Sequence, residues 1–415
     1  MRVSCFPVLI FHCAALCFAQ TGAAKKANLD SFELIWTTVR DRHPDPKLNG
    51  LDWQAIHDET RPRIAAAKSI GEVREILRSM LAKLGTSHYA IIPKDLYEPI
   101  RDTPQGNANP GITPILVDGK ALVGSVDPGS PAAKAGIKTG MEIDSINGTA
   151  VESLTKLADT LGDQRAVVRR LNGPSGEAVK LDVVDASGEK KQIAVPRAEP
   201  EGRMVSFGNL PAMRLTFEAH KLPGGAGYIG FNEFLDPVTI MPKFEAAVRD
   251  FAKSRGIVLD LRGNPGGIGA MAMGIAGFFI DKEGQKLGEM QMRDATLKFV
   301  IFPRAETYEG KLAILVDSGS ASTTEILAQG LQDLKRARIF GTRTAGAALP
   351  SDIIRLPNGD GFQYAQASYT SEKGKVLEGA GVTPDVEVRQ TQAALLAGHD
   401  LVLEAAEEWI LSNSR

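Results

Sequence analysis

Cysteine is almost missing from this chain: three in 415 residues, Cys5, Cys13 and Cys17, all near the start. Beyond them no thiol remains, which excludes disulfides, thiol catalysis and thiolate metal sites from the rest of the chain. Charge of one sign is lacking too. Lys and Arg number 48 against 50 Asp and Glu, for a formal charge of -2. No basic stripe interleaved with aromatics appears, so nucleic acid and an anionic membrane are poor partners. His43, His57, His220 and His399 stand in no metal-ligand spacing, and no metal or other cofactor is expected. No apolar run reaches transmembrane length. The stretch Pro7 to Phe18 follows Arg2 and leads into Cys17-Phe18-Ala19, small residues of the kind a signal peptidase reads. Residues 1–19 therefore read as a signal peptide, and the mature protein as exported to a bacterial periplasm or the exterior.

What is present is ordinary globular material, with 43% hydrophobic and 24% charged residues. The length allows about two or three domains. Residues 28–98 read as helical, with Phe32, Leu34, Ile35 and Val39, then Val73, Ile76, Leu77, Met80, Leu81 and Leu84, at helical spacing. Residues 105–197 change to short β-type runs punctuated by the turn dipeptides Asp118-Gly119 and Asn147-Gly148. Between the turns, Ser130, Pro131 and Gly136 mark the cap, first turn and stop of a short helix. Residues 198–225 read as irregular. From Gly227 onward strands and helices alternate, as in a layered α/β domain, and a helix near 400–411 closes the chain.

Two strand-to-turn-to-helix junctions carry chemistry. Residues 313–328, AILVDSGSASTTEILA, end an apolar run at Asp317, turn through small residues and enter a helix. A hydroxyl there stands beside unpaired N–H groups and the positive end of a helix dipole, a place for a nucleophile whose reaction develops an oxyanion. Strand 257–261 runs into Arg262-Gly263-Asn264-Pro265-Gly266-Gly267, whose glycines let N–H groups converge. A dinucleotide fingerprint fails for want of a third glycine, and a phosphate loop for want of Gly-Lys-Ser/Thr.

The order and spacing of Asp260-Leu-Arg-Gly-Asn-Pro-Gly-Gly267, Ser320-Ala-Ser-Thr-Thr-Glu325, Gly341-Thr-Arg-Thr-Ala-Gly346 and Glu378-Gly-Ala-Gly-Val-Thr-Pro-Asp385 resemble the C-terminal processing (tail-specific) and tricorn-type serine peptidases. Residues 129–148 resemble a PDZ domain. The resemblance implies an α/β fold: a crotonase-like βαβ peptidase core over 198–415, an N-terminal helical segment carrying a catalytic His, and an inserted PDZ-like β module. It also implies peptide substrates with free C-termini, held by strand addition at Gly111, Ile112 and Thr113. A homo-oligomer is left open.

By position in the family's serine motif the nucleophile is Ser322. Tail-specific members place a lysine base where this chain has Ala347, which cannot accept a proton. The tricorn-type branch instead uses a histidine, and Leu-Gly-Thr-Ser-His supplies His88, with Thr86 in place of the family's aspartate. Ser87 and Glu378 match residues that orient the histidine, and Gly379 replaces an asparagine. Thr323 with Gly266 or Gly267 would form the oxyanion hole. Asp260 and Arg262 would shape the strand end, and Trp53 and Trp409 would pack. The function implied is an exported serine endopeptidase acting through an acyl-enzyme. The rivals are an inactive member that binds peptide tails or small apolar ligands and, more remotely, acyl-CoA chemistry.

Overall fold

The structure is a computed structural model that describes residues 21–94, 108–156, 167–168, 170–199, 203–205 and 213–412. The leader with its three cysteines lies outside the described residues. Helices α1 (Gly22–Arg42), α2 (Trp53–Ala66) and α3 (Ile70–Ala82) open the chain, capped by Thr21, Asp52 and Ser69. α1 starts well before the apolar spacing at Phe32, because Ala and Lys favour helix without needing a buried face. Phe32, Ile35, Val73 and Leu77 meet in one core. Trp36 and Trp53 each donate an indole N–H to the other's carbonyl, at 2.9 and 3.0 Å. Strand β1 (Ala90–Ile92) leaves this bundle and pairs antiparallel with residues 361–363.

A second body has its own core of Val123, Ile143, Ile146, Leu181 and Val183. Its strands are β2 (Ile112–Val117), β3 (Lys120–Val126), β4 (Glu142–Ile146), β5 (Thr149–Ala150), β6 (Ala178–Val184) and β7 (Lys190–Pro196), with α4 (Pro131–Lys134) and α5 (Val151–Lys156). The sheet order is β2-β3-β4-β6-β7, with β5 on β4. Asp118-Gly119 (φ 50°, 78°) and Asn147-Gly148 (φ 50°, 75°) turn with both residues left-handed, as two-residue hairpins require. Ser130 Oγ accepts the Ala133 N–H at 3.1 Å and caps α4.

The segment 198–225, expected to be irregular, instead holds three strands: β8 (Arg203–Val205), β9 (Met213–Leu215) and β10 (Phe217–Lys221). β10 is an outer strand held by its backbone to β11 (Gly227–Phe231), and four of its five residues are exposed, so it has little apolar pattern to read.

The six-stranded core sheet runs β10-β11-β12-β15-β16-β20. It contains β12 (Gly256–Asp260), β15 (Lys311–Val316), β16 (Arg338–Gly341) and β20 (Val386–Glu387), parallel to one another and to β11. β13 (Lys286–Met292), β14 (Thr296–Val300) and β19 (Ala367–Ser371) form a side sheet, and β17 (Ser351–Arg355) and β18 (Gly361–Ala365) a hairpin that receives β1. Helices α6 (Pro237–Asp250), α7 (Gly269–Ala276) and α8 (Thr323–Asp333) cover one face; α9 (Gln392–Leu396) leads to α10 (Leu401–Leu411) on the other. Successive strand residues bury on opposite faces. Ile257, Leu259, Ile314 and Val316 face the first helical layer, while Val258, Ala313 and Leu315 face α10. All seven are fully buried, and each larger side chain contributes about 1.5–3 kcal/mol. The loops after β12, β15 and β16 leave the carboxyl ends of neighbouring parallel strands, so residues 262–267, 317–322 and 342–348 meet at one edge of the sheet.

Candidate active site

The turn between β15 and α8 is pinned from below. Asp317 Oδ1 accepts the N–H groups of Gly263 (2.8 Å), Gly319 (2.9 Å) and Ser320 (3.1 Å). Burial pushes the Asp317 carboxyl up from its ordinary value, against these hydrogen bonds. Ser320 is fully buried and donates its hydroxyl to the Leu261 carbonyl at 2.8 Å, so it is consumed by the fold. Ser322 differs. It is half-buried, at φ 55° and ψ -119°, a conformation that L-residues rarely adopt and that persists only when its surroundings impose it. Its N–H is shared by the Ala347 carbonyl (2.9 Å) and Glu325 Oε2 (3.0 Å). A serine held on a sharp strand-to-helix turn has the form of a nucleophile elbow.

The glycine loop lies against it. Asn264, fully buried, accepts the Gly266 N–H (2.9 Å) and the Thr324 hydroxyl (3.0 Å) on Oδ1, and donates Nδ2 to the Phe231 carbonyl (2.9 Å). A Cβ on Gly266 would come within 2.8 Å of the Ser322 Cβ and the Thr323 nitrogen. The Thr323 hydroxyl donates to the Gly267 carbonyl at 2.8 Å and ties the loop to the start of α8. Of the expected oxyanion donors, Gly266 is corrected: its N–H is already taken by Asn264. The N–H groups of Gly267 and Thr323 meet no acceptor among the described residues. For Thr323 the reason is its place as the first residue of the helix.

The histidine arm comes from the end of α3. His88 is buried, also at positive φ (62°), and directly precedes the segment that β1 anchors to β18. Ser87 Oγ lies 2.7 Å from His88 Nδ1 and 2.9 Å from Glu378 Oε2, and the Ser87 N–H donates to Glu378 Oε1 at 2.6 Å. The single hydroxyl proton goes to the carboxylate, so Ser87 accepts from Nδ1–H. In the neutral ring the basic nitrogen is then Nε2. The buried Thr86 hydroxyl makes no hydrogen bond among the described residues.

A shared segment joins the two arms. Gly379 donates its N–H to the Gly346 carbonyl at 2.8 Å, and Ala347 accepts from Ser322. Glu325 Oε1 accepts the Thr344 hydroxyl (2.5 Å) and the Gly346 N–H (2.8 Å); Oε2 accepts the Ala347 N–H (2.9 Å). Burial raises the Glu325 carboxyl from its ordinary range, and the hydrogen bonds, Thr344 foremost, pull the other way. Sequence reasoning missed Glu325 and Asn264. For Glu325 a signal existed, since Ser322-x-x-Glu325 is the pattern of a capping box.

In the second body, Gly111 (φ 86°) opens β2, but Asn109 Oδ1 accepts the N–H groups of Gly111 (2.5 Å) and Ile112 (3.3 Å). Two of the amides expected to hold a peptide carboxylate are therefore paired within the chain, because an Asn two residues before a turn satisfies it locally. Thr113 is exposed on β2, an outer strand of its sheet, and Pro114 beside it has no N–H to offer an added strand. Among the described residues no group of three or more His, Cys, Asp and Glu side chains could hold a metal, and no helix is long and apolar enough to cross a membrane.

Residues 225–388 match peptidase family S41, residues 25–82 the tricorn protease C1 domain and residues 122–184 a PDZ domain. The core of this chain is thus similar to peptidase family S41. With its carboxyl-terminal-processing relatives, this similarity makes the chain a serine-type peptidase. It is 27% identical over 367 residues to carboxyl-terminal-processing peptidase 3, chloroplastic, of Arabidopsis thaliana, covering 85% of this chain and 67% of that one. The carboxy-terminal-processing protease of Bartonella bacilliformis is also 27% identical, over 349 residues, covering 81% and 74%. Among solved structures, the photosystem II D1 C-terminal processing protease superposes with a TM-score of 0.59 at 22% identity, covering 95% of this chain and 98% of that one. The tricorn protease does so with 0.52 at 16% identity, over 93% of this chain and 37% of its own.

Proposed function

We propose that this protein is an exported endopeptidase that cleaves through an acyl-enzyme, with Ser322 as nucleophile and His88 as its base. The observation that carries the reading is the Glu378–Ser87–His88 relay. It fixes the imidazole as the tautomer whose Nε2 can take a proton, while Ala347 leaves no lysine to do so. Nε2 removes the Ser322 proton as Oγ attacks the scissile carbonyl. Glu378 acts through Ser87 on the imidazolium that forms, as the carboxylate of other triads does directly. The N–H groups of Thr323 and Gly267 receive the oxyanion, each donor worth roughly 2.7–4 kcal/mol in the transition state. His88 then protonates the leaving amine, and water hydrolyses the acyl-enzyme by the reverse proton path. Substrates enter by an apolar free C-terminus at the PDZ-like module, where Asn109 must give way. Export rests on the apolar leader before residue 20.

The test is a fluorophosphonate probe applied to the mature protein, read by intact mass and peptide mapping. A single adduct on Ser322, lost in Ser322→Ala and slowed at least about 10³-fold in His88→Ala, is the expected outcome. Labelling of His88→Ala at the wild-type rate would remove the histidine from the mechanism. Peptide affinity without turnover, unchanged in Ser322→Ala, would favour the inactive tail-binding rival.

A further inference from the structure

We propose that Glu325 is a positioning residue that locks the serine elbow to the loop carrying Glu378, so that one buried carboxylate sets the register between the two arms of the site. The inference rests on the peptidase reading for its effect on rate, but not for its effect on structure. Glu325 is fully buried at the third position of α8. Its two oxygens take four hydrogen bonds, from Ser322 N–H, Ala347 N–H, Gly346 N–H and the Thr344 hydroxyl. Every partner is a donor. Three are backbone groups that cannot reverse their role and they lie on both oxygens; the fourth, the Thr344 hydroxyl, donates here while its oxygen accepts the Val382 N–H at 2.7 Å. Only a carboxylate, which accepts on both oxygens, satisfies such a set. A glutamine in either orientation would turn its NH₂ on at least one backbone N–H.

A helix cap alone does not account for this. The capping role needs the Ser322 N–H, yet three of the four donors come from residues 344–347, outside α8. Those residues are in turn bonded to the Glu378 loop. Gly346 accepts the Gly379 N–H, Thr344 N–H donates to the Val382 carbonyl at 3.2 Å, and a Cβ on Gly381 would strike the Thr344 carbonyl at 2.7 Å. Glu378 holds Ser87, and Ser87 holds His88. The path from nucleophile to base therefore runs Ser322, Glu325, 344–347, 378–382, Ser87, His88; two backbone bonds, Ser322 N–H to Ala347 and Ala345 N–H to Ser320, run beside Glu325, which adds the side-chain lock between the two segments. The same segment holds a lysine base in tail-specific relatives. Here it serves as a backbone splice, with Ala347 contributing only its N–H and carbonyl.

The experiment compares Glu325→Gln with wild type by hydrogen exchange, fluorophosphonate labelling and peptide kinetics. Faster exchange is expected in peptides spanning 342–350 and 376–384, together with a roughly 10²-fold fall in kcat and little change in KM, since a misplaced nucleophile costs rate rather than binding. In the double variant Glu325→Gln with Glu378→Gln the kinetic losses should be far from additive, because both act on one linkage. Should Glu325→Gln unfold, Thr344→Val removes one donor and keeps the shape; its exchange and kcat should move the same way by about 10-fold. Exchange quickened only within the first turn of α8 would reduce Glu325 to a cap and overturn the proposal, whether or not the wild type labels. Wild-type protein that never labels, yet shows the exchange pattern, would sink the peptidase reading and leave the splice standing. Labelling of Glu325→Gln within about threefold of wild type would overturn the positioning role.

Discussion

Ser322 and His88 both sit at positive φ, in backbone that costs roughly 1–3 kcal/mol each and has to be held there. The Ser322 amide is held by Ala347 and Glu325, and the His88 ring by Ser87 at Nδ1. Asn109 shows the same local logic in the PDZ-like module, where it pairs with the amides a ligand would need. A peptide carboxylate is a stronger acceptor than an amide oxygen, but it must first displace one. Asn109→Ala should therefore raise affinity for a peptide with a free apolar C-terminus about fivefold, the equivalent of about 1 kcal/mol of hydrogen bonding no longer given up. A C-terminally amidated peptide should gain nothing. Fluorescence anisotropy on the two peptides checks both, and equal gains would mean that the loop does not read carboxylates.

The junction of β12 with the glycine loop and that of β15 with α8 pack so closely that neither can be altered alone. Gly266 has φ 99°, and any Cβ there would meet the Ala321 carbonyl, the Ser322 Cβ and the Thr323 nitrogen at 2.8 Å. Gly266→Ala should move the serine elbow, lowering kcat about 10²-fold with KM nearly unchanged and the melting temperature within a few degrees. A variant with full kcat would show that the elbow has slack. Both junctions were legible in the sequence, because an apolar run ending in small residues and followed by helical spacing is a local signal. β10 was not, since an outer strand with four exposed residues carries no alternation. The roles of Glu325 and Asn264 were hidden for another reason. Glu325 finds three of its four partners some twenty residues onward, and Asn264 finds two of its three on β11 and α8. The amides paired with Asn109 were equally invisible, since a turn motif looks the same whether its N–H groups are free or taken.

Across the whole molecule the C-terminal helix is clamped to the base of the glycine loop. Arg262 pairs with Asp260 and with Asp400, the N-cap of α10, and Tyr228 donates to Asp260 at 3.0 Å. Burial opposes ionisation of Asp400, but hydrogen bonds and charge from Arg262 outweigh it and hold the carboxyl below the usual carboxylate range. Because the folded value lies below the unfolded one, the clamp contributes fully above about pH 4 and is lost as pH falls through the folded value. Arg262→Met should cost roughly 3 kcal/mol in urea unfolding at pH 7, and the gap should narrow as pH is lowered to 3 and Asp400 begins to protonate. A constant gap across that range would assign the loss to packing. The arrangement of the arms has a consequence in time as well as space. On the proposed roles, the base is made early, the nucleophile late, and the carboxylate that orients the base later still. On that reading a nascent chain carries its histidine and then its serine before the group proposed to arm them, and the order of translation itself would serve as a safety catch.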